Sequence, residues 1–184
     1  MHICSACIDD ADDDASMETD ERAAAERRSK RAATAKNIYE VLKSSYYPEV
    51  RTAISDKDLA PTSTKRSTIE KIKAILTGIR GLGRDQMYLY CELGGTFKLL
   101  KKKYKVSNKK LDELLRENNY YGYGKSMRNF YISLHDCALD YNKVMYIDIS
   151  RLGITKIIAY WKDLKKFIVN DADFWKGTYV KPSN

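Results

Sequence analysis

The sequence predicts an all-α fold, and three features of the chain support this. Glycine and proline are scarce, with 9 and 3 residues among 184, whereas β-sandwiches and barrels need many turns. Apolar residues recur at the i, i+3, i+4 spacing of amphipathic helices in several segments. Only residues 144–149 have an extended pattern, and a single short segment cannot form a sheet. We therefore expect a compact bundle of about five helices.

The N-terminal region divides into an acidic tail and a basic helix. Residues 1–20 carry seven acids and no Lys or Arg, so we expect a disordered acidic tail. Residues 21–47 are rich in alanine and in basic residues, which favours a helix with apolar positions only near its end. Residues 48–64 contain Pro48 and Pro61 and are predicted to form a linker and a domain boundary.

The helical domain is predicted to span residues 65–178, followed by a short C-terminal tail over 179–184. Its first helix is expected to begin at a capping box formed by Ser67 and Glu70, because this pairing satisfies two free N–H groups at a helix start. Apolar periodicity predicts further helices over 84–104, 108–117, 126–141 and 154–168.

Local features inside this domain carry specific expectations. Gly94 and Gly95 should weaken the middle of their helix, by a kink or a division. Ser107 and Ser126 should each cap the helix that follows. Trp161 lies among apolar residues at helical spacing and should be buried, with the aromatic residues of the C-terminal segment folded back onto its helix.

The net charge of +8 conceals an asymmetry along the chain. Without the seven acids of residues 1–20, 18 acids remain against 33 bases, which is a net charge of +15. Such a basic body favours polyanions, either nucleic acid or an anionic membrane face. A charged surface also serves solubility, which is the simpler explanation.

Composition also bears on the compartment. No apolar run approaches the roughly 18–20 residues of a membrane span, so we expect no membrane partner. The N-terminus lacks the basic and apolar stretches of a secretory signal, and the four cysteines are not needed as disulfides in a helical chain of this size. We therefore expect an intracellular protein. The basic run 27–31 is typical of nuclear-import signals, of arms that grip a nucleic-acid backbone and of solvated helices.

Catalytic and metal-binding residues are sparse. The chain has two histidines and no recognisable nucleophile-base constellation, so we expect neither an enzyme nor a cofactor. His2, Cys4 and Cys7 have zinc-like spacing but fall in the predicted disordered tail. His135 and Cys137 lie two positions apart on a predicted helix and would point in different directions. We expect no bound metal.

Residues 96–115 have the apolar spacing of two helices joined by a tight turn. The apolar positions are Leu100 and Tyr104 before the turn, Val106 in it, and Leu111 and Leu114 after it. The segment resembles the helix-turn-helix of DNA-binding proteins, with Lys105 where the motif usually has a turn glycine. The resemblance implies that the second helix lies in the major groove. The residues that it would present there are Ser107, Asn108, Lys109, Asp112 and Arg116.

Basic residues are concentrated around this motif. Residues 96–128 contain ten bases and three acids, and each phosphate that they neutralise would release a counterion. We predict a DNA-binding protein of weak sequence specificity. The predicted nucleic-acid-binding residues are Lys98, Lys101, Lys102, Lys105, Ser107, Asn108, Lys109, Lys110, Arg116, Lys125 and Arg128.

Two alternatives remain open at this point. Tyr120, Tyr121 and Tyr123 lie in a glycine-bearing loop among these bases, where they would stack on single-stranded nucleic acid or fill the gap between two helices. The chain as a whole would alternatively be a protein-interaction or self-assembly module. In that case amphipathic helices at 21–47 or 154–169 would form a homo-oligomer, and the positive charge would serve solubility.

Overall fold

A computed structural model describes residues 12–47, 61–81 and 85–177 of the chain. Regular structure in these ranges is helical, apart from one isolated antiparallel β-bridge between Tyr46 and Ile147. The prediction of an all-α fold is therefore confirmed. The helices are α1 Asp12–Ser44, α2 Lys65–Gly81, α3 Gln86–Lys102, α4 Asn108–Glu117, α5 Lys125–Asp140, α6 Ile154–Asn170 and α7 Ala172–Trp175, with a 3-10 helix Asn142–Tyr146 between α5 and α6.

Helix α1 begins earlier than the sequence pattern indicates. It starts at Asp12, so residues 12–20, which were expected to be disordered, are helical, while residues 1–11 lie outside the described ranges. Acidic residues are favourable near a helix N-terminus because of the helix dipole, and the alanines that follow have the highest helix propensity. The low apolar content that suggested disorder excludes packing but does not exclude a helix.

The C-terminal half of α1 is part of the main core. Ala35 and Leu42 are buried, and the Tyr39 hydroxyl donates to the Asp171 carboxylate at 2.6 Å. Trp175 donates its indole N–H to the same hydroxyl at 3.0 Å. The boundary predicted at residues 48–64 therefore does not separate α1 from the helical domain. Of this segment, residues 48–60 lie outside the described ranges.

The glycine pair of α3 permits a close approach to α5. A Cβ on Gly94 would lie 1.9 Å from the carbonyl oxygen of Tyr131, and one on Gly95 would lie 2.6 Å from the ring of His135. The helix nevertheless continues from Gln86 to Lys102, so the expected kink or division is absent. Glycine is required at these two positions because α5 occupies the space that a side chain would need.

Two of the predicted N-caps are wrong. At α2 the reciprocal hydrogen bonds join Thr64 and Ser67: Ser67 N–H donates to Thr64 Oγ1 at 3.1 Å, and Thr64 N–H donates to Ser67 Oγ at 3.2 Å. The capping box therefore lies one turn earlier than Ser67 and Glu70. At α5 the N-cap is Gly124, without a side-chain bond, because the helix already includes Ser126.

The C-terminal part of the chain packs as the aromatic pattern indicates. Trp161 is 8% exposed and donates its indole N–H to Ser133 Oγ at 3.0 Å, which confirms its predicted burial. Trp175 is fully buried, while Tyr179 lies outside the described ranges. Residues 144–149 are only partly extended, since residues 144–146 belong to the 3-10 helix and Ile147 forms the isolated β-bridge. Within the described ranges, no helix has both the length and the apolarity needed to cross a membrane.

Candidate nucleic-acid interface

The turn between α3 and α4 forms a tight elbow. Tyr104 N–H donates to the Leu99 carbonyl at 3.4 Å, and Val106 N–H donates to the Leu100 carbonyl at 3.0 Å. Val106 is buried. These bonds satisfy carbonyl groups at the end of α3, as a helix C-terminus requires. The apolar side chain of Val106 then anchors the turn in the core.

Lys105 has the backbone conformation that the motif usually assigns to glycine. Its φ angle is 52°, in the left-handed region that few residues other than glycine adopt. Ser107 follows with extended backbone angles, and its side chain accepts from the backbone N–H of Lys110 at 3.2 Å. The prediction that Ser107 caps α4 is confirmed. The left-handed residue and the cap together set the angle at which α4 leaves the elbow.

Helix α4 is held against the body by its leucines. Leu111 and Leu115 are buried, and Leu114 lines a shallow apolar pocket with Ile69 and Ile72 of α2. Helices α2, α3 and α4 therefore share one apolar junction beneath the elbow. The opposite side of α4 faces solvent.

Four lysines surround the elbow, and we call them the elbow cluster: Lys102, Lys103, Lys105 and Lys109. All four are exposed, and none forms an ion pair with any residue in the part of the chain that the structure describes. Like charges at this spacing repel one another and favour a bound polyanion. The cluster includes Lys103, which was absent from the predicted site although it belongs to the same lysine run. Its ammonium lies 5.3 Å from the Tyr104 ring centroid.

Three of the predicted lysines have side-chain partners within the protein. Lys98 pairs with Asp136 of α5, and this contact holds the pKa of the Asp136 carboxyl below its usual range. Lys101 donates to the side-chain carbonyl of Asn129 at 3.3 Å. Lys110 pairs with Glu113 at 3.2 Å. These three bases are partly neutralised or directed toward α5, in contrast to the elbow cluster.

Arg128 is buried and is not a surface residue. It is 0% exposed, it forms an ion pair with Asp112, and it donates to the Tyr123 carbonyl at 2.7 Å. A second guanidinium nitrogen donates to Asn108 Oδ1 at 3.3 Å. The predicted nucleic-acid contact is therefore wrong at this position. Arg128 instead joins the first turn of α5 to α4 and to the loop between them.

The Arg128 contacts change which side of α4 can meet a ligand. Asn108 and Asp112 lie one turn apart and both face Arg128, so they are not the groove-facing pair that the sequence suggested. The exposed residues of α4 are Lys109, Lys110, Arg116 and Glu117, and Glu113 is half-exposed. Because Asp112 is turned onto Arg128, its negative charge is compensated within the protein. Lys125, at the start of α5, is also exposed.

The three loop tyrosines differ in their surroundings. The Tyr120 hydroxyl lies 3.2 Å from Thr77 Oγ1 of α2, and the Tyr123 ring centroid lies 6.2 Å from that of Tyr131. Tyr120 and Tyr123 thus fill the gap between helices, as one of the two alternatives predicted. Only Tyr121, which is 71% exposed, has a ring open to solvent. A stacking platform of three rings is therefore absent from this loop.

No group of three or more His, Cys, Asp or Glu side chains that could hold a metal ion comes together in the described part of the chain. Cys91 and Cys137 are buried and unpaired, as predicted for small core residues, and burial raises the pKa of the Cys137 thiol to about 11. His2, Cys4 and Cys7 lie outside the described ranges. The Nδ1 atom of His135 lies 3.1 Å from the carbonyl oxygen of Cys91.

A groove next to His135 lies beside the α3–α5 contact. It encloses about 290 Å³, and its lining includes His135, Thr96 and the ion pair between Lys71 and Glu92, whose charged atoms lie 3.1 Å apart. The Glu92 carboxylate is thus occupied by an ammonium group. The groove lacks a nucleophile in hydrogen-bond contact with the imidazole among the described residues, so its geometry does not indicate a catalytic pair.

No family model, no curated protein and no solved structure matches this chain.

Proposed function

We propose that this protein binds duplex DNA through the elbow cluster, with affinity that depends little on sequence. The observation that carries the proposal is the group of four exposed lysines without ion-pair partners in the described ranges, located where two helices meet at a tight turn. Ammonium groups in this arrangement attract successive phosphates, and the release of counterions supplies most of the free energy of such binding.

The backbone of the elbow is consistent with this role. In helix-turn-helix proteins the second helix enters the major groove and its N-terminal residues lie near the DNA. Lys105 takes the conformation of the turn glycine, and Ser107 caps the second helix. The fully buried Arg128 pairs with the Asp112 carboxylate, which compensates one of the acidic charges on α4. The geometry of the elbow thus supports the resemblance first suggested by the sequence.

Base reading should contribute little. The exposed side of α4 combines three bases with Glu113 and Glu117, and Lys110 is already paired with Glu113. Arg116 is the one exposed arginine on this described helix, and arginine is the side chain that most often reads guanine in the major groove. We expect Arg116→Ala to cost about 1–3 kcal/mol on a preferred site if one exists, and little on other sequences.

The decisive measurement is a titration of the full chain with a mixed-sequence duplex at several salt concentrations. The variant Lys102/Lys105/Lys109→Ala should bind every sequence more weakly, and its salt slope should fall by about 1 for each phosphate that the protein no longer neutralises. The matched control is Lys36/Lys162/Lys166→Ala, which removes the same charge from exposed positions on α1 and α6. The control should retain the wild-type slope.

Three outcomes would count against the proposal. Wild-type affinity in the triple variant, or equal losses of affinity in the variant and the control, would make the elbow cluster an ordinary solvated surface. The protein-interaction module would then become the leading hypothesis. Tighter binding to single strands than to duplexes would identify single-stranded nucleic acid as the ligand. The exposed ring of Tyr121 would then be the candidate for stacking on its bases.

Arg128 provides a second test, because its contacts are internal. Arg128→Lys should lower stability, since an ammonium group cannot reproduce the separate contacts of the guanidinium with Asp112, Tyr123 and Asn108. The folded fraction should nevertheless keep the wild-type salt slope, because the substitution changes no residue that meets a phosphate. A reduced slope in protein shown to be folded by circular dichroism would restore Arg128 to the binding surface.

A further inference from the structure

Helix α1 extends beyond the helix on which it packs. Arg31 donates to the Ala159 carbonyl at 2.9 Å, and Lys43 contacts Asp171 at 2.6 Å; both pairs are separated by 128 positions in sequence. The two helices therefore run in the same direction, and Glu26 is level with Ile154, the first residue of α6. Residues 12–25 project past that end by about 20 Å, at 1.5 Å per residue.

The projecting part of α1 has no buried side chain among residues 20–25, and the turns next to it contact α6 through Arg31. Between residues 20 and 34 no residue is buried, and Ala35 is the first buried residue of the helix. This stretch consists mainly of alanine, short polar residues and charged residues, so it lacks the apolar stripe by which helices usually dock. A partner would have to recognise its charges.

The charges on α1 are separated into two blocks. Residues 12–21 carry six acids and no base, whereas residues 22–31 carry five bases and one acid. The one acid of the second block, Glu26, pairs with Lys30 at 2.7 Å, and Arg31 pairs with Asp163 at 3.0 Å. Arg22, Arg27 and Arg28 are exposed and form no ion pair with any side chain that the structure describes from residue 20 onward. The three arginines are thus available to an acidic partner.

Within one chain the two blocks can meet only at their boundary, where Glu18 and Arg22 lie one turn apart. Both blocks belong to one continuous helix, in which successive blocks of ten residues have centres about 15 Å apart along the axis. An antiparallel neighbour removes this restriction, because the acidic block of one helix then lies beside the basic block of the other. A two-fold axis near residue 21 produces both contacts at once, as an isologous interface does.

We infer that α1 is a self-association helix that pairs antiparallel with α1 of a second copy of this chain. The pairing matches residues 12–21 of one copy with residues 22–31 of the other. Small residues at Ala23, Ala24 and Ala25 permit the helices to approach closely at the centre. The remaining helices of the two copies do not collide in this arrangement. In each copy α6 begins level with residue 26 of α1, which is about 5 residues, or roughly 7 Å, from the two-fold axis.

This interface should be weak and sensitive to salt. It contains no apolar core, and exposed ion pairs contribute only about 0–1 kcal/mol each. Screening shortens the range of such contacts from about 10 Å at 0.1 M salt to about 3 Å at 1 M. Sedimentation velocity of the full chain should therefore show a concentration-dependent dimer at low salt that dissociates at high salt.

Charge exchange tests the pairing directly. The variant Arg22/Arg27/Arg28→Glu makes both blocks net acidic, and Asp14/Glu18/Asp20/Glu21→Lys makes both net basic. Each variant alone should be monomeric at concentrations where the wild type is dimeric, and an equimolar mixture should recover a dimer. The control Lys162/Lys166/Lys176→Glu carries the same charge change as the first variant at exposed positions outside α1 and should dimerise normally.

Several outcomes would overturn the inference. A wild type that stays monomeric at low salt, or single variants that still dimerise, would exclude this pairing. A mixture that fails to recover the dimer, with both variants folded by circular dichroism, would exclude the antiparallel match of blocks. Loss of duplex binding by the arginine variant without any change in mass would assign the basic block to nucleic acid instead. All these variants leave the elbow cluster intact, so the DNA proposal stands or falls separately.

Discussion

The two halves of α1 have similar helix propensity and opposite environments. From residue 20 to residue 34 no side chain is buried, whereas Ala35, Ile38, Tyr39 and Leu42 are all buried. The second half gains its position from a small set of residues at spacings of three and four, which form one stripe against α6. Helix formation in α1 is thus independent of packing against α6. Alanine and charged residues suffice to form the helix, whereas packing requires an apolar stripe.

The largest effect is expected where the docked half meets the C-terminal aromatic residues. Trp175 is fully buried, and its ring lies 6.2 Å from the ring of Tyr39. Trp175→Ala should lower the free energy of unfolding by about 3–5 kcal/mol, as other large-to-small core changes do. The control Tyr121→Ala removes an exposed ring and should change stability by less than about 0.5 kcal/mol. Equal denaturation midpoints for both variants would refute the assigned burial.

A matched pair of glycine substitutions compares the two halves at constant chemistry. Ala35 is buried and Ala25 is exposed, and glycine in a helix interior costs about 1 kcal/mol relative to alanine. Ala35→Gly should lower the stability of the whole protein by at least that amount. Ala25→Gly should loosen only the projecting part, which shows as faster amide exchange there with an unchanged melting temperature. A common loss in melting temperature would mean that the projecting half is docked as well.

A smaller effect on stability is expected at the contacts between α1 and Asp171, and this effect should depend on pH. The Lys43 ammonium and the Tyr39 hydroxyl hold the pKa of the Asp171 carboxyl below its usual range. A carboxylate with a depressed pKa adds stability above the pKa of the unfolded chain, near 3.9, and loses that contribution as the pH falls through the folded value. Asp171→Asn should therefore be less stable than the wild type at neutral pH, and the difference should disappear in acid.

The neighbouring exposed Asp173 supplies the control for this measurement. Asp173→Asn should follow the wild-type pH profile closely. A constant difference between Asp171→Asn and the wild type from pH 7 down to about pH 3 would show that ionisation of Asp171 is not the source of the effect.

The smallest effect is expected from removal of the projecting half. Deletion of residues 1–24 should leave the melting temperature nearly unchanged, because none of the side chains described in this segment, those of residues 20–24, is buried. The readout for stability is thermal unfolding at high salt, where self-association would be suppressed. A clear destabilisation under these conditions would place the segment against the body of the protein.

The elbow illustrates how far local sequence carries a prediction. Ser107 as a cap and the bounds of α4 follow from short-range rules, because a cap and a one-sided apolar pattern involve residues within a few positions of one another. Arg128 illustrates where such rules end. Nothing near it in sequence indicates that it is buried, since its partner Asp112 lies on another helix. Pairing across helices also decides that Asn108 and Asp112 face inward.

The sequence by itself determined the all-α class, the helices predicted over 108–117 and 154–168 and the concentration of lysines around residue 105, because these depend on composition and short-range periodicity. Tertiary structure alone decided that the docked half of α1 joins the core, that Gly94 and Gly95 serve a close helix contact, and that Arg128 is internal. The physical reason is the same in each case. Burial and ion pairing depend on residues far apart in sequence, and a one-dimensional pattern records only what lies within a few turns.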